Sequence, residues 1–449
     1  MHADEKGALA FLGIIGRWRG CEKICHVCLK ARRGSGNRAK WKPKASEWRE
    51  EAIFLLIAPL RTGAARLLSV PIDLAQGLVS HAFISLNFSF HHDFSRDIRA
   101  VRLFWHLHTQ TSEQGIYVAG FDEKVGATSE PTLAAEAANP TFLATHPTLP
   151  VLYAVGGDDK TGGVVLAYAI DPKSGGLTLI NQVADGATNG TYISVTPDGR
   201  TVLTAHYSGG YLQSFPIRAD GSLGECASRV EHTLTGKHPQ QSAPHPHCIK
   251  VSPDGCFAFA ADLAADRIFS YRITPESKLA DGKVAAALAE GCGVRHLAFS
   301  PDARFMYAIN ELAATVTVFA YDAATGGLRE IETVSTVPPD FSGRRWSAEV
   351  AVHRSGKFLY ASNRANDESI AAFAVDPASG RLAFLQRTGG LAHPRHFAIS
   401  PDGGWLLCAN QDANNVASFR IDATTGKLAE PAKRFGVPAC VCVVFWPAK

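Results

Sequence analysis

Short stretches of alternating apolar and polar residues recur along the chain from residue 116 onward. Most of them end in Asp, and a glycine-containing turn and a second strand-like stretch follow. Period-two alternation that runs into a tight glycine turn is typical of a β-hairpin. Seven copies are present: IYVAGFD (116–122), VLAYAID (165–171), LQSFPIR (212–218), IFSYRIT (268–274), VTVFAYD (316–322), IAAFAVD (370–376) and VASFRID (416–422).

A second pattern, a polar turn followed by an apolar strand, alternates with the first. Pro-Asp-Gly presets such a turn, because proline fixes φ and glycine accepts a positive φ. The copies are HPTLPVLYAVG (146–156), TPDGRTVLTAH (196–206), SPDGCFAFAAD (252–262), SPDARFMYAIN (300–310), HRSGKFLYASN (353–363) and SPDGGWLLCAN (400–410). Each repeat of about 50 residues therefore holds about four short strands, which predicts the blades of a β-propeller.

The two ends of the repeat array are out of phase. The first hairpin copy precedes any Pro-Asp-Gly turn, and a strand predicted over residues 439–446 has no hairpin after it. We therefore expect this last strand to complete the first blade and close the ring, which leaves no long exposed strand edge. The predicted fold class is all-β: a seven-bladed β-propeller of four-stranded blades, preceded by a non-homologous N-terminal extension.

Residues 1–104 differ in composition and in residue pattern from the predicted propeller domain at residues 105–449. They are basic near their start and carry no repeat, and a helix is predicted near residues 50–68. Cys21, Cys25 and Cys28 have the spacing of the cluster-binding triplet of radical S-adenosylmethionine enzymes. No α/β barrel follows them, so chance spacing is the simpler explanation. Two explanations stay open for this irregular extension: it is disordered, or the true start of translation lies near residue 100.

Composition narrows the classes of partner. The net charge of +3 in 449 residues gives no reason to expect nucleic acid or an acidic membrane. No apolar run reaches the roughly 20 residues that span a bilayer. Ten scattered cysteines indicate reduced, mostly buried thiols. We expect a cytoplasmic protein that is a monomer or a weak homo-oligomer.

The repeat also serves as a ruler for finding a site, since a propeller directs one strand of each blade towards a central channel. Position 0 is the residue that opens each turn: His146, Thr196, Ser252, Ser300, His353 and Ser400. Position −5 holds Thr141, Thr191, His247, Arg295, Ala348 and Arg395, and position +11 holds Gly157, Tyr207, Leu263, Glu311, Arg364 and Gln411. Neighbouring positions keep their apolar character from copy to copy, whereas these two vary. Varied positions at strand ends facing one channel indicate a site grafted on the repeat.

Five of these residues carry candidate chemistry: His247, Arg295, Glu311, Arg364 and Arg395. Three guanidiniums suit an anionic ligand, because each offers a planar fork to phosphate or carboxylate. His247 and Glu311 are candidates for proton transfer. The alternative is that each arginine pairs with a neighbouring acid and stiffens the rim. His245 and His247 could begin a metal site, but zinc needs three or four protein ligands and no further cluster supplies them, so no metal is expected and His245 is more simply a structural histidine.

Five phrases of the predicted propeller resemble the propeller-type lactonase family, which contains seven-bladed bacterial 6-phosphogluconolactonases and fungal 3-carboxy-cis,cis-muconate cyclases. They are APHPHCIKVSPDG (243–255), GVRHLAFSPDARFMYAINEL (293–312), SAEVAVHRSGKFLYASNR (347–364), HPRHFAISPDG (393–403) and ANQDANNV (409–416). The resemblance covers about residues 105–449. Two phrases depart from the family pattern, HYSGG (206–210) in place of Asn-Tyr-Gly-Gly-Gly and the irregular opening strand VRLFWHLHTQ (101–110).

The resemblance implies chemistry on a small anionic lactone without a cofactor, since opening an ester ring involves no redox step. In the muconate-cyclising members the active site is attributed to a His, an Arg, a Glu and a second Arg, which by motif are His247, Arg295, Glu311 and Arg364 here. In hydrolysis, His247 or Glu311 would be the general base and Arg295 would stabilise the oxyanion. Arg364 and Arg395 would hold the remote phosphate or carboxylate. The further substrate-binding candidates are His245, Asn310 and Gln411.

Three functions compete on this evidence. The favoured one is hydrolysis of 6-phosphogluconolactone to 6-phosphogluconate in the pentose phosphate pathway. The second is a lactone-forming cycloisomerisation of a dicarboxylate of the 3-carboxy-cis,cis-muconate type. The third is a non-enzymatic scaffold that binds a peptide or protein across its face. A scaffold would present an aromatic, apolar rim rather than buried arginines in the channel.

Overall fold

The computed structural model describes residues 53–57, 66–70, 101–107, 115–158, 162–186 and 190–447, in two compact units, residues 1–92 and 93–449. In the first unit, β1 (Ile53–Ile57) and β2 (Arg66–Val70) form an antiparallel pair with Leu55 opposite Leu68. The helix predicted near residues 50–68 is therefore wrong over these strands, because apolar runs of about five residues are of strand length. Cys21, Cys25 and Cys28 lie outside the described residues.

The second unit is built of antiparallel sheets, whose strands follow the chain from one blade to the next. Blade 1 begins with β3 (Val101–Leu107), β4 (Gly115–Asp122), β5 (Ala127–Thr128) and β6 (Thr132–Glu136). Blade 2 is β7 (Phe142–Thr145), β8 (Val151–Asp158), β9 (Gly162–Ile170) and β10 (Leu177–Ala184). Blade 3 is β11 (Gly190–Val195), β12 (Thr201–His206), β13 (Tyr211–Pro216) and β14 (Ser228–Glu231).

The next four blades repeat this order, and a short 3₁₀ turn at Pro239–Gln241 precedes them. Blade 4 is β15 (Pro246–Val251), β16 (Phe257–Asp262), β17 (Arg267–Ile273) and β18 (Leu279–Ala287). Blade 5 is β19 (Val294–Phe299), β20 (Phe305–Asn310), β21 (Thr315–Asp322) and β22 (Gly327–Ser335). Blade 6 is β23 (Ser347–Val352), β24 (Phe358–Asn363), β25 (Ser369–Val375) and β26 (Leu382–Thr388). Blade 7 is β27 (Pro394–Ile399), β28 (Trp405–Asn410), β29 (Asn415–Arg420) and β30 (Lys433–Gly436), and β31 (Cys440–Pro447) ends the chain's strands.

The C-terminal strand closes the ring as the sequence predicts. The sheet of blade 1 has the order β31-β3-β4-β5, with β6 also paired to β4, and Phe104 lies opposite Val444. The first strands of the other blades, with β31, form the inner wall of the channel, where β31 lies between β27 and β7. Within the described residues this gives the predicted seven-bladed, all-β propeller. Residues 101–107 of the irregular phrase form β3, which starts upstream of the boundary drawn at residue 105.

The core lies between neighbouring blades, where apolar side chains of the second and third strands pack face to face. Tyrosines in the second strands also link blades, because each hydroxyl donates to a carbonyl of the next blade: Tyr153 to Gly221 at 2.9 Å, Tyr307 to Gly380 at 3.1 Å and Tyr360 to Gly426 at 2.8 Å. The seven described cysteines are free and five of them are buried. None of the described residues belongs to a helix long and apolar enough to cross a membrane.

Candidate active site

In blades 3 to 7 the residue at position −5 lies in a β-bulge at the start of the inner strand. In blade 5, Val294 pairs with Asn310 and His296 with Ile309, which leaves Arg295 without an opposite residue. The same shift leaves Thr191, His247 and Arg395 unpaired in blades 3, 4 and 7. A bulge re-aims the side chain of its extra residue, so these side chains depart from the regular inward–outward alternation of a strand.

These bulges open onto one cavity of about 190 Å³ at the same end of the blades as position +11. Consecutive residues contribute to its wall, which a regular strand would not allow. Its lining consists of Thr141, Phe142, Thr191, His247, Arg295, His296, Arg395 and Val441. Three of the predicted site residues, His247, Arg295 and Arg395, therefore line one cavity.

A buried ion cluster centred on Glu311 lies beside the cavity. Its Oε2 is 2.9 Å from Nε of Arg295 and 2.7 Å from Nη2 of Arg364. Its Oε1 accepts a hydrogen bond from Nε1 of Trp346. The guanidinium of Arg364 also lies 4.3 Å from the centre of the Trp346 ring, at cation–π distance. One carboxylate thus joins two of the predicted arginines.

The charges of this cluster persist at neutral pH. Burial by itself raises the pKa of Glu311, but Arg364, Arg295, the Trp346 hydrogen bond and Arg395 together outweigh it and hold this pKa below its usual value. Burial lowers the pKa of Arg364 to about 9, with Glu311 opposing the shift. Burial and the neighbouring Arg295 lower the pKa of Arg395 to about 10. Glu311 is therefore a carboxylate between cations, which makes it a weak base.

Arg395 differs from the other two arginines because no carboxylate pairs with it in the described part of the chain. It lines the cavity and lies partly buried at the start of β27. Three guanidiniums thus face the single carboxylate of Glu311, and the cavity keeps an excess of positive charge. An anionic group of a ligand would neutralise it.

His247 is a neutral imidazole in the cavity wall. Burial lowers its pKa well below the usual value, and Arg295, His296, Arg395 and Arg364 lower it further. Its Nδ1 is buried and has no hydrogen-bond partner in the described residues. His247 is therefore unprotonated at neutral pH, the state in which a general base must be.

The remaining substrate-binding candidates lie at the rim or within a blade. His245 stacks on Tyr207 with ring centres 3.9 Å apart, and its Nδ1 contacts the Tyr207 carbonyl at 2.9 Å. Asn310 instead donates to Thr315 and Thr317 of its own hairpin, both at 2.9 Å. The side-chain oxygen of Gln411 is buried without a partner among the described residues. Binding roles for all three stay predictions.

The comparison of equivalent repeat positions, which selected positions −5 and +11, missed site residues at two further positions. Position −4 holds His296, Glu349 and His396 in blades 5 to 7, so the statement that neighbouring positions stay apolar is wrong there. Position −7 supplies Trp346 and also His393, whose ring lies 5.2 Å from that of Trp346. Both columns vary in chemistry, so the test applied to positions −5 and +11 would have found them.

The arrangement suits acid–base chemistry on an anionic ligand. No group of three or more His, Cys, Asp or Glu side chains that could hold a metal ion occurs among the described residues. What the cavity offers is a neutral imidazole, an unpaired guanidinium and a pair of guanidiniums fixed by one carboxylate. Such fixed cations stabilise negative charge that develops on a reacting oxygen.

Comparison with known proteins gives one family. The family model described as "Lactonase, 7-bladed beta-propeller" matches residues 106–445. The chain is 37% identical over 344 residues to a 6-phosphogluconolactonase of Bacillus subtilis, covering 75% of this chain and 96% of that protein. It is 31% identical over 326 residues to a 6-phosphogluconolactonase of Formosa agariphila, covering 70% and 90%.

Solved structures agree with this. A periplasmic gluconolactonase of Pseudomonas aeruginosa superposes with a TM-score of 0.73 at 35% identity, covering 78% of this chain and 99% of that one. A putative 6-phosphogluconolactonase of Bacteroides fragilis gives a TM-score of 0.73 at 33% identity, covering 79% and 100%.

Proposed function

The chain belongs to the family of seven-bladed β-propeller lactonases, enzymes that hydrolyse lactone esters, and from this premise we propose that its substrate is 6-phosphogluconolactone, which it converts to 6-phosphogluconate in the pentose phosphate pathway. The observation that carries the choice of a phosphorylated lactone is Arg395, a cavity-lining cation that no carboxylate neutralises within the described residues. A phosphate carries more charge than any other part of such a substrate and suits a guanidinium fork.

His247 acts as the general base in this proposal. Both oxygens of Glu311 are already engaged, by two guanidiniums and by Trp346, which leaves it little basicity. His247 takes a proton from water as the water oxygen bonds to the lactone carbonyl carbon. Arg295 stabilises the resulting oxyanion. Arg364, which pairs with the same Glu311 carboxylate, contributes a second positive charge near that oxyanion. When the ring C–O bond breaks, the imidazolium returns the proton to the leaving ring oxygen.

Arg395 binds the phosphate and fixes the pose of the ring. His245 and Tyr207, stacked at the rim, offer an aromatic edge to the sugar carbons. No cofactor enters any of these steps. A cytoplasmic location stays a prediction, since one similar structure is a periplasmic gluconolactonase.

Ring opening of freshly made 6-phosphogluconolactone tests the substrate. We expect proton release in weak buffer well above the spontaneous rate, and slower turnover of gluconolactone without the phosphate. Faster reaction of a carboxymuconolactone would favour the cycloisomerase instead. No acceleration of any of the three lactones would overturn the proposal.

Arg395→Gln separates binding of the phosphate from chemistry. We expect KM for 6-phosphogluconolactone to rise roughly tenfold or more, because a charge-assisted hydrogen bond is worth about 1.5–3 kcal/mol. The constants for unphosphorylated gluconolactone should change little. Arg420→Gln, in the exposed end of β29 of the same blade, is the matched control. Equal losses on both lactones would show that Arg395 does not contact the phosphate.

A further inference from the structure

A second polar layer lies next to the catalytic cavity, at position −4. One carboxylate oxygen, Oε2 of Glu349, is 2.9 Å from Nδ1 of His296 and 3.3 Å from Nε2 of His396. The other oxygen, Oε1, accepts a hydrogen bond from the backbone N–H of Val350 at 3.0 Å. All three side chains are buried, and only His296 also lines the cavity.

The hydrogen-bond partners assign the protons of both imidazoles. The backbone N–H of Val443 donates to Nδ1 of His396 at 3.2 Å, so the proton of His396 is on Nε2 and is donated to Glu349. His296 donates its Nδ1 proton to the same oxygen, which leaves its Nε2 as an acceptor. Nη1 of Arg295 lies against this ring, 3.2 Å from the Nε2 acceptor and 3.5 Å from Nδ1. Burial lowers the pKa of both histidines, so both are neutral.

The contacts that run from Glu349 through His296 end at Arg295, where they fix the orientation of the guanidinium. Its Nε faces Glu311, and its Nη1 donates to the Ala348 carbonyl at 2.8 Å and faces His296. Nε meets Glu311 as an ion pair without making a hydrogen bond, and Nη2 makes no hydrogen bond to another described residue. Because Arg295 lines the cavity and its Nε is buried against Glu311, Nη2 is the donor assigned here to a ligand.

We infer that Glu349 is a positioning residue for lactone hydrolysis: through the tautomer of His296 it holds Arg295 with Nη2 turned to the substrate oxygen. The inference rests on the role proposed above for Arg295. It also explains why a glutamate stands at residue 349, where other blades carry uncharged residues that pack in the same layer. The other blades place Phe142, Tyr192, Cys248 and Cys442 in this layer, all buried, and a buried carboxylate destabilises a fold unless its partners compensate.

Glu349→Gln disrupts this arrangement whichever way the amide is turned. If its oxygen faces the histidines, its NH₂ meets the donating N–H of Val350. If its NH₂ faces them, His296 must accept at Nδ1 and carry its proton on Nε2, where it opposes a donor of Arg295. We expect kcat to fall by roughly 10- to 100-fold, less than the roughly 100- to 1,000-fold cost of losing an oxyanion donor outright, with KM changed less than about threefold.

His353→Ser is the matched control, because it also removes a buried polar side chain of blade 6, but one that lies away from the cavity. His353 opens the turn at the opposite end of the blade, where it contacts the Gly403 carbonyl at 2.9 Å, and other copies carry serine there. This variant should lower stability and leave kcat unchanged.

A double-mutant cycle with Arg295→Lys separates positioning from general damage to the fold. Lysine lacks the Nη1 group that meets His296, so Glu349→Gln should lower kcat less than about twofold in that background. If Glu349→Gln lowered kcat by the same factor in the Arg295→Lys background as in the unsubstituted protein, the inference would be overturned. General damage to the fold would lower kcat whichever residue stands at position 295.

The tautomer can also be read without substrate. In the full-length protein labelled with ¹⁵N-histidine, we expect an Nδ1-protonated, Nε2-unprotonated imidazole that the Glu349→Gln variant loses. An Nε2-protonated or doubly protonated His296 in the unsubstituted protein would overturn the inference even if the lactonase proposal holds. The expected tautomer in a protein inactive on every lactone would instead count against the proposed function.

Discussion

Glu311 shows how one side chain sets the state of its neighbours. Two guanidiniums and an indole N–H surround a carboxylate that is itself buried. Removing one partner from such a cluster leaves an uncompensated charge, which typically costs about 3–5 kcal/mol. Substitutions that keep the charge but change the geometry are therefore more informative at this site than truncations.

Arg364→Lys is such a substitution. Arg364 contacts Glu311, donates to the Ser347 carbonyl at 3.0 Å and packs its guanidinium on Trp346. Lysine keeps the positive charge and loses the planar fork and the stacking. We expect kcat/KM for 6-phosphogluconolactone to fall by roughly 10- to 100-fold, as for the loss of one charge-assisted hydrogen bond.

The control for this prediction is Arg381→Lys in the same blade, where the exposed side chain of Arg381 makes an ion pair with Glu332 at 2.7 Å. An exposed pair contributes little, so its kinetics should match the unsubstituted protein. If Arg364→Lys also matched it, the fork of Arg364 would have no part in catalysis.

The sequence located the cluster residues but not their partners. Arg295, Glu311 and Arg364 stand out because each differs from its counterparts in the other blades. His296 and Glu349 follow directly after position −5, where regular alternation would turn a side chain away from the channel. The bulge at Arg295 brings both Arg295 and His296 to the cavity wall, so position −4, which also varies between blades, contributes to the site beside position −5.

Among the elements, the turn at position 0 is the feature that the sequence describes best. In blade 5 the hydroxyl of Ser300 donates to Asp302 at 2.6 Å and accepts the backbone N–H of Phe305 at 3.0 Å. Ser252 and Ser400 make the same bonds in blades 4 and 7. The recurring Ser-Pro-Asp phrase thus satisfies backbone groups that the strands leave unpaired.

Ser300→Ala should lower the free energy of unfolding by about 1–2 kcal/mol, since it leaves the buried N–H of Phe305 without an acceptor. The kinetics should not change, because the turn lies at the end of the blade opposite the cavity. Urea denaturation followed by circular dichroism measures the first effect. Ser300→Thr is the matched variant, as Thr196 accepts the N–H of Thr201 at 3.0 Å in blade 3. An equal loss in both variants would assign the effect to crowding rather than to the hydrogen bond.

At the scale of the whole molecule, closure of the ring follows from the phase of the repeat. A chain that starts with the second strand of a blade must end with a first strand, and β31 supplies it to β3. The start of β3 at Val101 and the division of the outer edge of blade 1 into β5 and β6 were not predicted. Residues 101–107 and 127–136 lack the hairpin and turn phrases by which the other strands were found.

Closure by β31 should make the two ends of the propeller depend on each other. A chain ending at Pro438 lacks β31, so it exposes one edge of β3, opens the inner wall between β27 and β7, and removes Val441 from the cavity. Unpaired edges pair with other chains, and a gap in the ring separates blades that otherwise support each other. We expect association in size-exclusion chromatography with light scattering, a lower and broader thermal transition, and no lactonase activity. Removal of residues 448–449 alone should change none of these, and a monomeric, cooperatively melting protein ending at Pro438 would show that six complete blades are stable without closure.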